Sequence, residues 1–273
     1  MDLGLHSIVG KVREVDEDSI MAASHESLSK DDSSYSCLCA LADGMGGGSR
    51  GEVASRLAVD EFWDTTKQLL VGQGLLEKEK IRKTILEGVK QANKAVYGYK
   101  VKNGIDQIGT TLTTAFMVGG DVYVSNVGDS RTYIIAEGRV EERTKDHSYV
   151  QELVDAKQIT AEEARNHPRR NVITRVLGEG PEIESDFYEW KLYNGDTILL
   201  CCDGLWEALG DDTICKFASA KLSAHELVKE MVSKANELDG SDNISAIIVR
   251  PSVGITKEVV LGRTTEVRRK GHA

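Results

Sequence analysis

The chain has 273 residues and a formal net charge of −10, which argues against nucleic-acid or anionic-membrane partners because these require a basic face. Hydrophobic residues make up 40% of it, enough for a sizeable core in one large domain or two small ones. Its five cysteines, in an odd number and inside apolar runs, indicate buried thiols instead of a disulfide framework. Since there is no signal-peptide pattern and no apolar run of the roughly 20 residues that span a bilayer, we expect a soluble, cytoplasmic protein.

The N-terminal region alternates predicted strands with polar or acidic turns. Two short strands with an acidic connection are expected within residues 6–21, followed by a polar hairpin loop at residues 24–34. The strand predicted at residues 35–42 ends in Asp43-Gly44 and leads through a glycine-rich stretch into a helical pattern. Considered alone, such an Asp-Gly pair is ordinary chemistry for a strand-to-helix turn.

Two helices and a meander of strands follow. Apolar residues at helical spacing predict helices at residues 52–70 and 77–101, which we expect to pack as an antiparallel pair and to carry no chemistry. Glycine-containing turns then separate four short strands, predicted at residues 110–118, 122–127, 131–136 and 139–142.

Residues 145–170 are polar and helix-like, so they interrupt the strand pattern and suggest a mobile flap near a site. Beyond this flap, strands are predicted at residues 171–177, 183–192, 197–202 and 243–249, and helices at residues 211–220 and 224–238. We interpret residues 1–250 as one domain. Residues 251–273 are polar with little periodicity, and we expect a loosely ordered tail or linker.

Acidic residues recur where predicted strands end. Asp43, Asp129 and Asp203 each follow an apolar run, and Asp242 lies just before one. Because the same arrangement occurs at all these positions, the sequence predicts that the carboxylates meet in one cluster. Hard divalent cations prefer such oxygen ligands.

Three charged residues near the N-terminus are further candidates. Glu17 and Asp18 either belong to the same cluster or form a solvated acidic turn. Arg13 lies just before them, where its planar guanidinium could pair with them or bind an oxyanion such as phosphate.

Short motifs occur in the order found in one known family. They lie at residues 10–18, 42–52, 109–111, 126–131, 202–205 and 241–243, with a further similar segment at residues 144–148. Together they resemble the metal-dependent serine/threonine protein phosphatases of the PPM class (type 2C), in their bacterial form. The resemblance covers about residues 5–250.

This resemblance implies an α+β fold, a four-layer α-β-β-α sandwich of two antiparallel sheets flanked by helix pairs. It implies an enzyme that hydrolyses phosphoserine and phosphothreonine with two Mn²⁺ or Mg²⁺ ions and a third, weaker one. Its partners would be phosphorylated proteins and a Ser/Thr kinase acting on the same substrates. Nothing in the sequence requires more than a monomer, and we expect one.

The resemblance also implies roles for individual residues. Asp43 would bridge two metal ions and be central to catalysis. Asp203 and Asp242 would bind one of these ions. The Gly44 carbonyl and, through water, Glu17 would serve the other.

Three further roles are implied in the same way. Asp18 would support the metal ligands, Asp129 would hold the third ion with Asp203, and Arg13 would clamp the substrate phosphate. Two cations about 3.5–4 Å apart can share a water, lower its pKa and neutralise the phosphoryl oxygens, so no protein nucleophile is needed. His147 with its neighbours Asp146 and Ser148 is therefore interpreted as structural, not as part of a catalytic triad.

The sequence departs from the family's pattern at two positions, Asp16 in place of Asn and Gly48 in place of His. That histidine is the usual candidate for the general acid, and such assistance is typically worth about 10²–10⁴-fold. His6, His147 or a water at the metal centre could replace it. The alternative hypothesis is a weakly catalytic, metal-binding module that captures phosphoproteins, and a third is a set of acidic turns without metal.

Overall fold

The computed structural model describes residues 1–28, 33–46, 50–70, 77–251, 257–260 and 263–266, with backbone only at 26–28, 33–34 and 257–266. Its strands are β1 (Asp2–Ile8), β2 (Asp18–Leu28), β3 (Ser33–Gly46), β4 (Ile108–Thr110), β5 (Leu112–Val118), β6 (Asp121–Val127), β7 (Arg131–Ala136), β8 (Arg139–Arg143), β9 (Asp186–Lys191), β10 (Thr197–Cys201), β11 (Ile244–Arg250), β12 (Lys257–Val260) and β13 (Arg263–Glu266). Its helices are α1 (Gly51–Thr66), α2 (Lys78–Lys102), α3 (Tyr149–Asp155), α4 (Ala161–Arg165), α5 (Asp203–Ala218) and α6 (Ala224–Leu238).

The strands form two antiparallel sheets and a separate hairpin. Sheet 1 has the order β1-β11-β10-β7-β8. Sheet 2 has the order β2-β3-β5-β6-β9, and β4 pairs with the end of β3. The hairpin is β12-β13, in the segment predicted to be a tail.

Alternating apolar residues place each sheet between two layers. Cys37, Cys39 and Leu41 on β3 face a core shared by both sheets, together with Leu200 of β10. Leu38 and its alternate neighbours on β3 face α1 and α2 instead. On the other side, sheet 1 packs against α5 and α6 through a separate apolar cluster. These are the four layers of the predicted α-β-β-α sandwich, so the predicted fold class is confirmed.

The helix pairs pack closely for local reasons. A Cβ at Gly88 of α2 would lie 2.9 Å from the Phe62 ring of α1, so only glycine permits this approach. Helix α6 begins with a capping box, in which Ser223 and Glu226 exchange side-chain to backbone hydrogen bonds. None of the described helices is both long and apolar enough to cross a membrane.

Several predicted boundaries are wrong. The loop predicted at residues 24–34 is mostly strand, because β2 continues to Leu28 and pairs with the first residue of β3. Residues 29–32, between these two strands, lie outside the described residues. The strand predicted at residues 171–177 is absent from that described segment, where Ile173 and Leu177 make only isolated bridges.

Two further boundaries bear on the site. Strand β1 ends at Ile8, so residues 9–17 are the connection to β2. Gly10 lies in this connection at φ +84°, and a Cβ there would lie 2.2 Å from the Asp242 carbonyl oxygen. The helix predicted from residue 211 begins already at Asp203, and Gly210 interrupts its helical backbone with φ 69°.

Candidate metal centre

Strand pairing brings the first two carboxylates together. Asp18 begins β2 and is the direct cross-strand partner of Asp43 in the antiparallel register. Side chains of directly opposed residues lie on the same face of a sheet, only about 4.5–5.5 Å apart at Cβ. Asp43 is not at the end of its strand as predicted, since β3 continues to Gly46 and pairs there with β4.

Strand ends of sheet 1 supply Asp203 and Asp242, and Asp129 lies between β6 of sheet 2 and β7 of sheet 1. Asp203 is the first residue of α5, directly after β10, and Asp242 precedes β11. A Cβ at Gly204 would lie 2.1 Å from the Asn243 carbonyl oxygen, so glycine permits this close approach of α5 to the loop before β11. Asp129 follows β6 immediately after Gly128, whose φ of +101° turns the chain.

The resulting cluster is electrostatically strained in the absence of cations. Burial, and then the charges of the neighbouring aspartates, raise the pKa of Asp43 well above its ordinary value. The pKa of Asp129 and that of Asp203 are raised in the same way, and burial raises the pKa of Asp18 to about 8. The aspartates whose charges act on Asp43 are Asp18, Asp203, Asp129 and Asp242. All of the aspartates predicted to cluster are therefore brought together.

Buried oxygen atoms in this cluster lack partners. Both carboxylate oxygens of Asp18, one of Asp129 and one of Asp203 are out of contact with solvent and have no hydrogen-bond partner among the described residues. Leaving a charged acceptor unsatisfied is costly, so buried charges are normally paired or bound to metal. A set of carboxylate oxygens of this kind fits hard divalent cations such as Mg²⁺ or Mn²⁺.

Glu17 and the Gly44 carbonyl meet beside this cluster at the start of α1. Glu17 Oε1 accepts a 3.1 Å hydrogen bond from the Gly51 N–H, and an anion is favoured at this helix end. A Cβ at Gly51 would lie 2.5 Å from Glu17 Oε1 and 2.7 Å from the Gly44 carbonyl oxygen. The two predicted ligands therefore converge on one point, which only a glycine at position 51 leaves open.

Arg13 lies at the mouth of the cluster. Its guanidinium donates a 2.8 Å hydrogen bond to Asp242 Oδ2 and lies 3.6 Å from Glu17 Oε2. Its side chain is 46% exposed, so N–H groups remain available to an incoming anion. Both roles that the sequence left open for Arg13 are thus possible at this position.

Two supporting residues were not assigned roles from the sequence. The Thr111 hydroxyl accepts a 2.9 Å hydrogen bond from the Asp43 N–H and contacts the Ser130 hydroxyl at 2.7 Å. Asn243 accepts a 2.9 Å hydrogen bond from the Glu17 N–H and donates to the carbonyls of Val9 and Val15, each at 3.0 Å. The motifs at residues 109–111 and 241–243 contain these residues, but only the contacts show what they hold.

The two histidines left open as general acids, His6 and His147, have other contacts. His147 is 8% exposed, and its Nδ1 accepts from the Gly128 N–H while Nε2 lies 3.3 Å from Asp186. Burial lowers the pKa of His147, and its structural interpretation agrees with these contacts. Burial, and then the charges of Lys229 and His225, lower the pKa of His6 as well. Because Lys229 and His225 are residues of α6, His6 lies near that helix.

Asp146 and Ser148 do not form a triad with His147. Asp146 instead accepts two hydrogen bonds, of 2.8 and 2.6 Å, from the buried Arg131 guanidinium. The Ser148 hydroxyl caps α3. The flap helices α3 and α4 border a cleft of about 620 Å³ that extends to Asp129 and α5.

Comparison with known proteins shows the family of this chain. The family model for protein phosphatase 2C matches residues 19–245. The chain belongs to the protein phosphatase 2C family. The serine/threonine phosphatase stp of Listeria monocytogenes is 35% identical over 210 residues, which are 77% of this chain and 82% of that protein. The serine/threonine protein phosphatase PstP of Mycobacterium tuberculosis is 32% identical over 257 residues. These residues are 93% of this chain but only 46% of PstP.

Solved structures of the protein phosphatase 2C fold align over nearly the whole chain. A serine/threonine phosphatase of S. agalactiae has a TM-score of 0.78 at 29% identity and covers 92% of this chain and 99% of its own. The catalytic domain of PstP, in complex with two manganese ions, has a TM-score of 0.74 at 30% identity, with 90% and 96% covered.

Proposed function

We propose that this protein phosphatase 2C hydrolyses phosphoserine and phosphothreonine in proteins at a centre of two Mn²⁺ or Mg²⁺ ions. The observation that carries this proposal is the buried aspartate cluster with its unpartnered oxygens. Without cations its burial is unfavourable, and the family that the chain belongs to comprises phosphatases, one of which is described with two manganese ions.

We assign the ligands as the resemblance implied. Asp43 would hold both ions, and the charges of four neighbouring aspartates help to raise its pKa. Asp203 and Asp242 serve one ion, and the convergence of the Gly44 carbonyl with Glu17 supports their assignment to the other.

Two aspartates have supporting roles. Asp18, the cross-strand partner of Asp43, helps to position the metal ligands. Asp129, which interacts electrostatically with Asp203, would hold a third, weaker ion.

The chemistry of a phosphomonoester defines what the residues must do. When bound, the cations supply Lewis acidity and make water nucleophilic near neutral pH. Arg13 binds a non-bridging phosphoryl oxygen, because the cations would neutralise the carboxylates that otherwise hold its guanidinium. Thr111 fixes the Asp43 backbone, and Asn243 fixes that of Glu17, so the carboxylates are held before substrate arrives.

The leaving alkoxide needs a proton, and both ring nitrogens of His147 are already engaged, one with the Gly128 N–H and the other beside Asp186. Gly48, where bacterial relatives usually carry histidine, lies outside the described residues. We propose that solvent protonates the leaving group. Aryl phosphates need less assistance and should therefore be hydrolysed more readily than phosphothreonine.

We extend the proposal to partners and location. The substrates are phosphorylated proteins made by a Ser/Thr kinase, and the enzyme acts as a monomer, which sedimentation would test. All five cysteines are buried free thiols, which favours a reducing, cytoplasmic compartment. Thiol titration of protein taken directly from cells would test that location.

The deciding experiment compares para-nitrophenyl phosphate and a phosphothreonine peptide with Mn²⁺, Mg²⁺ or chelator. Wild type should hydrolyse both in a metal-dependent manner, and Asp43→Asn should hydrolyse neither. Asp64→Asn, on the exposed face of α1, is the matched control and should behave as wild type. If neither compound is hydrolysed although metal binds, the protein is the phosphoprotein-capturing module instead.

A further inference from the structure

A cleft with apolar walls opens beside the aspartate cluster. It has a volume of about 620 Å³ and extends from Asp129 along α5 to the flap helices α3 and α4. Val150 and Val154 of α3 contribute apolar surface from the flap. Ala208 of α5 and Leu238 of α6 contribute more of it from the body of the domain. The volume lies within the range of about 300–1,000 Å³ typical of ligand pockets, which are lined mainly by apolar side chains.

Two arginines of the cleft are paired with aspartates that line it as well. The buried Arg131 guanidinium donates two hydrogen bonds to Asp146, and its central carbon lies 3.4 Å from the centre of the Trp206 ring. Arg143 lies 3.2 Å from a carboxylate oxygen of Asp211. Because each of these cations already has an anion, neither selects a charged ligand. The stack of Arg131 on Trp206 gives the cleft a fixed surface.

An apolar side chain is left exposed at the rim of the cleft. Leu238, the last residue of α6, is 57% exposed, and Val154 is half-buried. An aliphatic group that covers them removes apolar surface from water, which favours binding. The cleft begins at Asp129, so a chain whose phosphate lies at the metal centre passes its neighbouring residues into the cleft.

We propose that this cleft binds an aliphatic side chain of the phosphoprotein substrate, within about three residues of the phosphorylated threonine or serine. An extended chain advances about 3.3 Å per residue, so three residues reach about 10 Å from the phosphate. The inference rests on the proposed function, which places that phosphate at the metal centre. Val154 and Leu238 then determine specificity for peptides, whereas para-nitrophenyl phosphate has no side chain for them to bind.

The test uses phosphothreonine peptides of serine and glycine in which a single leucine is moved from three residues before the phosphothreonine to three residues after it. With Mn²⁺, leucine in at least one of these positions should raise kcat/KM about tenfold or more over the leucine-free peptide. Even one methylene in an apolar pocket is worth about 10–200-fold. Aspartate in the same position should give no gain.

Two variants locate the effect in the cleft. Val154→Thr, which keeps the shape of the side chain, and Leu238→Asn should each lose most of the gain from leucine. Both should keep the wild-type kcat for para-nitrophenyl phosphate. Val101→Thr is the matched control, because Val101 is also a valine near the end of a helix, is 63% exposed and does not line the cleft. It should keep the full gain.

A second measurement needs no catalysis. Fluorescence anisotropy of labelled peptides that carry a non-hydrolysable phosphonate in place of the phosphate should show the same preference for leucine in Kd, and the same loss in the two cleft variants. If this preference depends on Val154 and Leu238 but no phosphate ester is hydrolysed, the cleft inference stands and the phosphatase proposal falls.

Three outcomes would overturn the cleft inference: no position of leucine improves the wild-type reaction, both cleft variants keep the full gain, or Val101→Thr loses it as well. Thermal unfolding of each variant establishes that it is folded. Since Val154 and Leu238 lie on different helices, a single misfolded variant does not decide the result.

Discussion

Arg13 and Asp242, 229 residues apart in the chain, are joined by a 2.8 Å hydrogen bond at the mouth of the aspartate cluster. The contact is supported by the backbone, since the Lys11 N–H donates to the Gly240 carbonyl at 2.7 Å. It joins the segment that runs from β1 of sheet 1 to β2 of sheet 2 with the loop before β11 of sheet 1. The position of the guanidinium is thus determined by the sandwich as a whole.

Arg13→Ala should raise the KM for a phosphothreonine peptide about tenfold, because a hydrogen bond to a charged group is worth about 1.5–3 kcal/mol and this side chain is half exposed. Arg13→Lys should recover only part of the loss, since an ammonium cannot bind phosphate in two directions. Steady-state kinetics would measure the KM of both variants. Arg139→Ala, on the exposed strand β8, should leave KM unchanged. A KM unchanged in Arg13→Ala would refute the role in substrate binding.

Thr111→Val should lower Mn²⁺ affinity about 10–100-fold, because such outer partners orient metal ligands. It leaves the Asp43 N–H and the Ser130 hydroxyl without a partner, so it should also cost about 1–3 kcal/mol of stability. Thr113→Val is the control, since that buried hydroxyl is hydrogen-bonded to the Thr132 hydroxyl, at 2.7 Å, and to no aspartate among the described residues. Calorimetric titration should find Mn²⁺ affinity reduced in the first variant alone. Equal affinities in the two variants would contradict this.

Gly51→Ala should weaken Mn²⁺ binding and activity by about tenfold or more, because its Cβ would displace Glu17 from the Gly44 carbonyl. The matched control is Gly98→Ala in α2, where a Cβ meets nothing within 4 Å. That variant should keep full activity and gain about 0.5–1 kcal/mol of stability from helix propensity. Metal titration and thermal unfolding of both variants provide the comparison. If the Gly51→Ala protein is active and binds Mn²⁺ as tightly as wild type, Glu17 has no role in metal binding.

Metal-free protein should lose stability as pH rises from about 4, the ordinary pKa of an aspartate, to about 8, the pKa to which burial raises Asp18. A carboxyl whose pKa is raised in the folded state favours folding while protonated, and that contribution disappears as it ionises. Asp43, Asp129 and Asp203 act in the same direction. Thermal unfolding in chelator at several pH values measures this. Asp18→Asn should reduce the pH dependence, and saturating Mn²⁺ should abolish it; a metal-free Tm that rises with pH would show the opposite electrostatics.

Gly48→His should increase kcat for a phosphothreonine peptide more than for para-nitrophenyl phosphate. A general acid typically contributes about 10²–10⁴-fold, and the poorer alkoxide leaving group gains most from it. The ratio of the two kcat values, followed against pH, is the measurement. An equal increase for both compounds would mean that the histidine does not protonate the leaving group.

The sequence by itself determined the types and order of the main elements, because apolar periodicity directly reflects which face of each helix or strand is buried. It also predicted the aspartates that cluster, since each lies beside an apolar strand. The family's motif order then assigned their chemistry.

Only the tertiary structure decided what holds that cluster together. The contacts of Thr111 with Asp43 and of Asn243 with Glu17 join segments far apart in the chain, and no local pattern encodes them. The prediction of a strand at residues 171–177 was wrong for the same reason, because Ile173 and Leu177 make isolated bridges to Ser148 and Thr110 and form no ladder. From the sequence, Cys202 was predicted only to be a buried thiol, like the other cysteines. Its place beside Asp18 and Asp43 follows from how the two sheets pack, which depends on side chains from both.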